Sequence, residues 1–329
     1  SHRFPIFSTI REALTLGGEK LAVDGVLMIA EHGDYPLSET GNRIYPKRRF
    51  WNEIYAVFEK NHRGVPVFVD KHLADNWTDA AYLYQSATQL DIPLMAGSSL
   101  PTTWRHPPSD VSRGEPIKEL VAITYHTTDA YGFHALEFIQ ALLEQRQGGE
   151  SGVTRVESVA GVEVWQAIDS GLVPSDLFQA AWDRLRNAHH SDRPDRNRVA
   201  DPRLFTISYH DGTKAQLLEL NGAASEWTAA WRGPQADQAI ESTLFWTQEG
   251  RPGMHFTWLL NGIEAMIRTG QASWNVERTL LTSGILDALL LSLKTGQPVE
   301  TPYLNIRYQP TWRWKEPPPP PPMRPWADQ

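Results

Sequence analysis

The chain has 329 residues, 41% of them hydrophobic and 21% charged, with a net charge of −8. That length suits two cores rather than one, and the acidic balance argues against a nucleic-acid surface, which would show a basic stripe. The absence of cysteine excludes disulfides, thiolate catalysis and thiolate-ligated zinc.

Taken in order, residues 9–14 predict a short helix after Ser8, a good cap. Residues 24–30 (DGVLMIA) form an apolar run of strand length, as expected for a parallel strand covered on both faces. A polar loop with His32, Gly33 and Asp34 follows. Residues 48–60 then read as a helix with Phe50, Ile54, Val57 and Phe58 on one face. Lys47, Arg48 and Arg49 before it read as a solvated helix start. Strand 65–69, helix 76–90 and strand 93–96 complete a βαβ pattern, which implies a parallel sheet with right-handed crossovers.

The texture changes at Trp104-Arg105-His106-Pro107-Pro108, a proline-marked boundary. Beyond it we expect a strand at 119–125, a long helix at 130–146 and six further strands at 153–160, 162–167, 204–209, 214–221, 227–231 and 242–247. Tight-turn signals such as Asp211-Gly212 and Asn221-Gly222 favour antiparallel pairing. Residues 174–188 predict a helix, and 189–202 a charged loop in which His189, His190 and Asp201 to Arg203 read as decoration. Helices at 255–269 and 276–295 close the fold. The apolar run 280–293 is broken by Thr282, Ser283, Gly284 and Asp287, falls short of the ~18 residues of a membrane span, and reads as a buried helix. The tail from Lys315, with six consecutive prolines, predicts polyproline II, as a spacer or as an arm over a neighbouring subunit. Most of the thirteen tryptophans suit core packing, with one or two available as stacking platforms for sugar rings. The expected organisation is thus a partial parallel unit at 1–105, an α+β unit at 106–314 and a proline-rich tail at 315–329.

The chemistry-bearing residues cluster at predicted strand ends and one helix start. Asp70, Lys71 and His72 end a buried strand, where open α/β sheets keep their chemistry. A partly desolvated Lys71 could take or hold the proton of a hydroxyl; otherwise it is a surface lysine paired with Asp70. His134, in the first turn of the 130–146 helix, would be kept neutral by the helix N-terminus. Glu137, three residues on, either orients that imidazole or supplies a favourable first-turn charge. Arg105 could hold a carboxylate or sugar hydroxyl, or belong to a plain linker. His32, Asp34, Asp70, His72, His134 and Glu137 are also a nitrogen and oxygen donor set of the kind that binds a divalent metal.

Three stretches of the sequence, Asp70-Lys71-His72-Leu73-Ala74, Ile92-Pro93-Leu94-Met95-Ala96-Gly97 and Gly132-Phe133-His134-Ala135-Leu136-Glu137, resemble motifs of the Gfo/Idh/MocA oxidoreductases, the glucose–fructose oxidoreductase and inositol dehydrogenase superfamily. The turn Tyr209-His210-Asp211-Gly212-Thr213 and the segment 270–281 are similar to that family's second domain. The resemblance implies an incomplete Rossmann-like parallel sheet followed by a mostly antiparallel open sheet with flanking helices. It implies NAD or NADP as cofactor and hydride transfer at a carbinol of a sugar, cyclitol or related polyol. In that family the lysine and histidine manage the hydroxyl proton, which places Lys71 and His134, with Glu137, in the catalytic role. It further implies Glu31, His32 and Asp70 against the cofactor, and Asp34, His72 and Arg105 against the substrate.

Three departures accompany it. No G-x-G-x-x-G occurs, so the chain reads as starting about two strands into a nucleotide-binding fold. Asp70 and His72 stand where the family has glutamate and proline, and Ala130 stands where it often has an aspartate. Two alternatives therefore stay open: a metal-dependent hydrolase, lyase or isomerase using His32, Asp34, His72, His134 and Glu137, and a non-catalytic binding protein that has shed its cofactor half. The expected partners are a small-molecule substrate and a second copy of the chain through the antiparallel sheet, without nucleic acid or membrane. With no secretory leader recognisable, the expected setting is cytoplasmic.

Overall fold

The computed structural model describes residues 4–30, 33–186, 192–235, 239–247 and 253–319. The first unit is a three-stranded parallel sheet in the order β1 (Val26–Met28), β2 (Val67–Asp70), β3 (Leu94–Gly97). α1 (Ile10–Thr15) precedes it, and α2 (Lys47–Asn61) and α3 (Trp77–Gln89) form the crossovers. Asn76 caps α3 by accepting from the Asp79 amide, and His62, left-handed, ends α2. Side chains alternate across the strands. Val67, Val69, Leu94 and Ala96 face Trp51, Ile54, Phe58 and Leu83 of the crossover helices. Phe68 and Met95 point the other way and are covered by Leu259, Ile263 and Met266 of α7 (Phe256–Thr269) and by Trp274. The second face of the small sheet is therefore closed by a helix from the far end of the chain.

The larger sheet has eight strands in the order β11-β6-β7-β8-β5-β9-β10-β4. In chain order these are β4 (Trp104–His106), β5 (Glu119–Thr124), β6 (Val153–Ala160), β7 (Arg203–Tyr209), β8 (Lys214–Glu219), β9 (Trp227–Arg232), β10 (Glu241–Trp246) and β11 (Val299–Glu300). Only β5 and β8 pair in parallel. The remaining helices are α4 (Phe133–Leu143), α5 (Val162–Asp169), α6 (Ser175–Trp182) and α8 (Glu277–Thr295). Leu120 and Ala122 of β5 face α4 and α8, while Val121 and Ile123 face α5 and α6. The fold class is the expected one: a small parallel sheet and a larger, mostly antiparallel one with flanking helices.

Four details depart from the sequence reading. Residues 162–167 are helical: Gly161, at φ 65°, ends β6, and the Val164/Ala167 spacing sets one buried face. Trp104–His106 is an edge strand paired with β10, so the change of sheet falls between Gly97 and Trp104. Both faces of the central strands are buried within this chain, because Leu177, Phe178 and Trp182 cover the side away from α4. The central strands are thus covered on both sides by the chain's own helices. The described part of the tail lies on its own chain: Trp314 donates to the Thr103 carbonyl at 2.9 Å, and Trp104 donates to that of Pro318 at 2.8 Å. The later prolines, His189 and His190 lie outside the described residues.

α8 joins the two units. It is buried on nearly all sides, as a helix apolar around its circumference must be. Ser283 Oγ accepts from the Leu73 amide at 3.0 Å, and Asp287 from the Trp77 amide at 3.1 Å. Gly284 permits the closest approach, since a Cβ there would meet Leu304 and the Trp77 ring at 2.4 and 2.8 Å.

Candidate active site

β2 ends in Asp70, and the chain turns at Lys71 through the left-handed region (φ 54°), an unusual conformation for a lysine. Lys71 bridges to Gly97 at the end of β3. The turn is held from beneath by Lys47, the first residue of α2. Its ammonium donates to the carbonyls of Asp70 and His72 at 2.7 and 2.5 Å, the two carbonyls that flank Lys71. Lys47 is fully buried, so the expected solvated cation is instead a clamp on the strand end.

Gly97 needs its glycine twice over. Its φ is +116°, and a Cβ would meet Glu137 Oε2 at 2.2 Å. That close approach lets α4 lean onto the end of β3. Ser98, the next residue, joins the two: its hydroxyl oxygen lies 2.6 Å from His134 Nδ1, and its amide donates to Glu137 Oε2 at 3.2 Å. Lys71, Gly97, Ser98 and His134 thus form a continuous path from the parallel sheet to α4.

His134 follows a π-helical turn over Thr128–Gly132, a feature frequent at functional sites. The helical run therefore begins before the expected start, and His134 is not in its first turn. Its neutrality has another source. Tyr131, Phe133 and Trp227 surround the ring at centroid distances of 6.2–6.4 Å. Desolvation, with the charge of Lys71 and then that of His255, pulls its pKa down to about 3. Nε2 makes no hydrogen bond among the described residues and is not a buried orphan, in contrast to Nδ1 of His72. The residue as a whole is half-buried.

The remaining expected residues divide. Glu137 is buried behind the site, accepting from Thr282 Oγ1 at 2.6 Å. Burial raises its pKa, and its bonds support Ser98 rather than reaching the imidazole of His134. His72 is buried, with Nε2 2.7 Å from the Asp129 carbonyl oxygen and its ring against Phe133 and Tyr45. Desolvation and Lys47 hold it well below the usual imidazole range. It ties β2 to the π turn and has no surface for substrate. Arg105 is also withdrawn: its guanidinium is enclosed, bonded to Asp110 at 2.7 Å and to the carbonyls of Ser109 and Pro101. Both substrate assignments are corrected on this ground. Asp70 lies half-buried at the strand end and Asp34 is exposed, while Glu31 and His32 lie outside the described residues. Among the described residues no three potential ligands come together to hold a metal ion. His72 and Glu137 are spent on internal hydrogen bonds, and this dismantles the alternative metal set as far as it is described.

Lys47, Ser98 and His255 were not singled out from sequence. Ser98 had a signal in the Gly-Ser-Ser that follows an apolar strand; Lys47 had none, because its neighbours Arg48 and Arg49 mark an exposed helix start. A cavity of about 790 Å³, lined by Tyr45, Arg48, Asp79 and Asp287 among others, lies beside α2 and α3 and includes none of the expected site residues.

Solved structures of dehydrogenases share this two-unit fold. The chain resembles GenD2 from gentamicin A biosynthesis, solved in complex with NAD, at a TM-score of 0.55 and 12% identity, over 90% of this chain and 82% of that one. A probable dehydrogenase from Thermotoga maritima matches at 0.54 and 12%, over 90% and 84%. Myo-inositol 2-dehydrogenase from Lactobacillus plantarum matches at 0.53 and 10%, over 89% and 84%. No family model and no curated protein matches the sequence. At these identities the likeness is one of fold.

Proposed function

We propose that the chain is an NAD(P)-dependent oxidoreductase acting on a hydroxyl of a sugar, cyclitol or related polyol. The observation that carries this reading is the link from Lys71 through Gly97 and Ser98 to His134 where the two units join, with the charge of Lys71 near enough to lower the His134 pKa. An alcohol oxidised there gives up a hydride from carbon and a proton from oxygen. A bound nicotinamide accepts hydride; the proton is the protein's task. Lys71 exchanges it and His134 holds the oxygen, while Tyr131, Phe133 and Trp227 keep bulk water from one side of the site. The strand ends at Asp70, Lys71 and Gly97 suit the nicotinamide end of the cofactor. The chain's sequence has no glycine-rich turn for the pyrophosphate, and no residue is assigned to that end.

A second reading, a binding protein without redox activity, is favoured by the burial of His72 and Arg105, which leaves neither a surface for substrate. Calorimetric titration of NAD⁺ and of NADP⁺ into the protein separates the two. Saturable 1:1 binding of either supports the oxidoreductase. Failure to bind both overturns it.

A further inference from the structure

We propose that Ser98 fixes His134 in the neutral tautomer that carries its proton on Nε2, so that His134 serves as a hydrogen-bond donor to the substrate oxygen while Lys71 alone exchanges the proton. The role toward substrate rests on the oxidoreductase reading above; the tautomer does not.

A buried hydroxyl needs partners for its proton and its lone pairs. Ser98 is 3% exposed. Its oxygen accepts from the Leu100 amide at 3.0 Å and sits 2.6 Å from His134 Nδ1. A serine hydroxyl has one proton to give and two lone pairs. If Nδ1 carried the proton, Oγ would accept twice and its own proton would point at nothing, because the described residues offer it no other acceptor. If Nδ1 is bare, the hydroxyl donates to it and every polar atom of the pair is paired. The tautomer is thus assigned by the hydrogen-bond network. Its consequence is at Nε2, which then bears hydrogen and has no hydrogen-bond partner among the described residues. A neutral imidazole in this form cannot take a proton at the open nitrogen; it can only donate a hydrogen bond there.

The reaction balances with the two roles separate. In the oxidation, the carbinol C–H would break and a bound nicotinamide would take the hydride. The O–H proton goes to the free-amine form of Lys71, which becomes the ammonium, and the C=O double bond forms from the O–H pair. Nε2–H of His134 donates to that oxygen throughout, before, during and after the transfer. Ser98 is a positioning residue and touches no reacting atom.

The test is long-range ¹⁵N–¹H correlation spectroscopy of the protein labelled with ¹⁵N-histidine, with H134Q used to assign the His134 signals. At neutral pH the wild type is expected to show a bare Nδ1 and a protonated Nε2. S98A should move both signals toward a mixture of tautomers, and S98T should restore the wild-type pattern. Turnover of a polyol should fall roughly tenfold in kcat for S98A with little change in KM. A protonated Nδ1 in the wild type, or S98A spectra identical to wild type, overturns the assignment of Ser98 whatever the turnover. A bare Nδ1 in a protein that oxidises no polyol overturns the oxidoreductase reading, and with it the donor role, but leaves the tautomer standing.

Discussion

At the scale of single residues, Lys47 and the two withdrawn imidazoles set the stability of the site. Lys47 spends its charge on two carbonyls around the left-handed Lys71. Lys47→Met would leave both without their ionic donor and is expected to cost about 2–4 kcal/mol in chemical denaturation. A loss within about 0.5 kcal/mol, the range of an ordinary surface change, would refute the clamp. The imidazoles make a prediction about pH. His72 and His134 are both held below their ordinary range when folded, His134 at about 3. The unfolded chain binds protons at both as pH falls through about 6.5, while the folded chain does not, so stability is complete above that value and declines as pH drops toward His134's folded value. Burial raises Glu137, and this acts in the opposite sense, because its folded carboxyl holds a proton that the unfolded one has lost above its ordinary pKa. Melting temperatures from pH 8 down to 5 should therefore fall, and fall less steeply in H134Q. An equal slope in that variant would remove His134 from the account.

At the scale of elements, the turn after α4 carries a buried ionic network. Arg278 of α8 pairs with Glu144, and Tyr308 donates to the same carboxylate at 2.8 Å. Arg146 pairs with Glu150 at 3.0 Å and with Asp211 at 2.7 Å. Breaking a buried pair leaves a charge without a partner, which costs more than the pair is worth. R278M is expected to destabilise by about 3–5 kcal/mol, and R278M/E144M by less than R278M alone. Additive losses in the cycle would show that Glu144 does not depend on Arg278. None of this network was legible in sequence: Glu144, Arg146 and Arg278 look like the charged ends of amphipathic helices, and only tertiary packing buries them. The parallel strands were legible because continuous apolar runs such as 65–69 and 92–96 have few other uses. Residues 162–167 read as a strand because Val-Glu-Val alternates, and a helical face as short as Val164 with Ala167 leaves little periodic signal. At the site, Lys71 and His134 were visible as titratable residues at a strand end and a helix start. The withdrawal of His72, Glu137 and Arg105 into internal bonds was not, since a residue's identity does not say which way it faces.

At the scale of the whole molecule, the two units are tied by long-range packing. α7 covers the Phe68 and Met95 face of the small sheet, and α8 binds the Leu73 and Trp77 amides that follow β2. The site sits at this junction, so its geometry depends on both units keeping their relation. No helix among the described residues is long and apolar enough to cross a membrane. In the proposed reaction Lys71, at this junction, exchanges the proton of an alcohol whose hydride leaves for a nicotinamide. The most direct measurement is the formation of reduced nicotinamide by wild type and K71M on a panel of inositols and aldoses, with both nucleotides supplied. Turnover by the wild type on at least one member is expected, with a loss of about 10²–10⁴-fold in K71M and the fold intact. A K71M protein that turns over as fast as the wild type would contradict it.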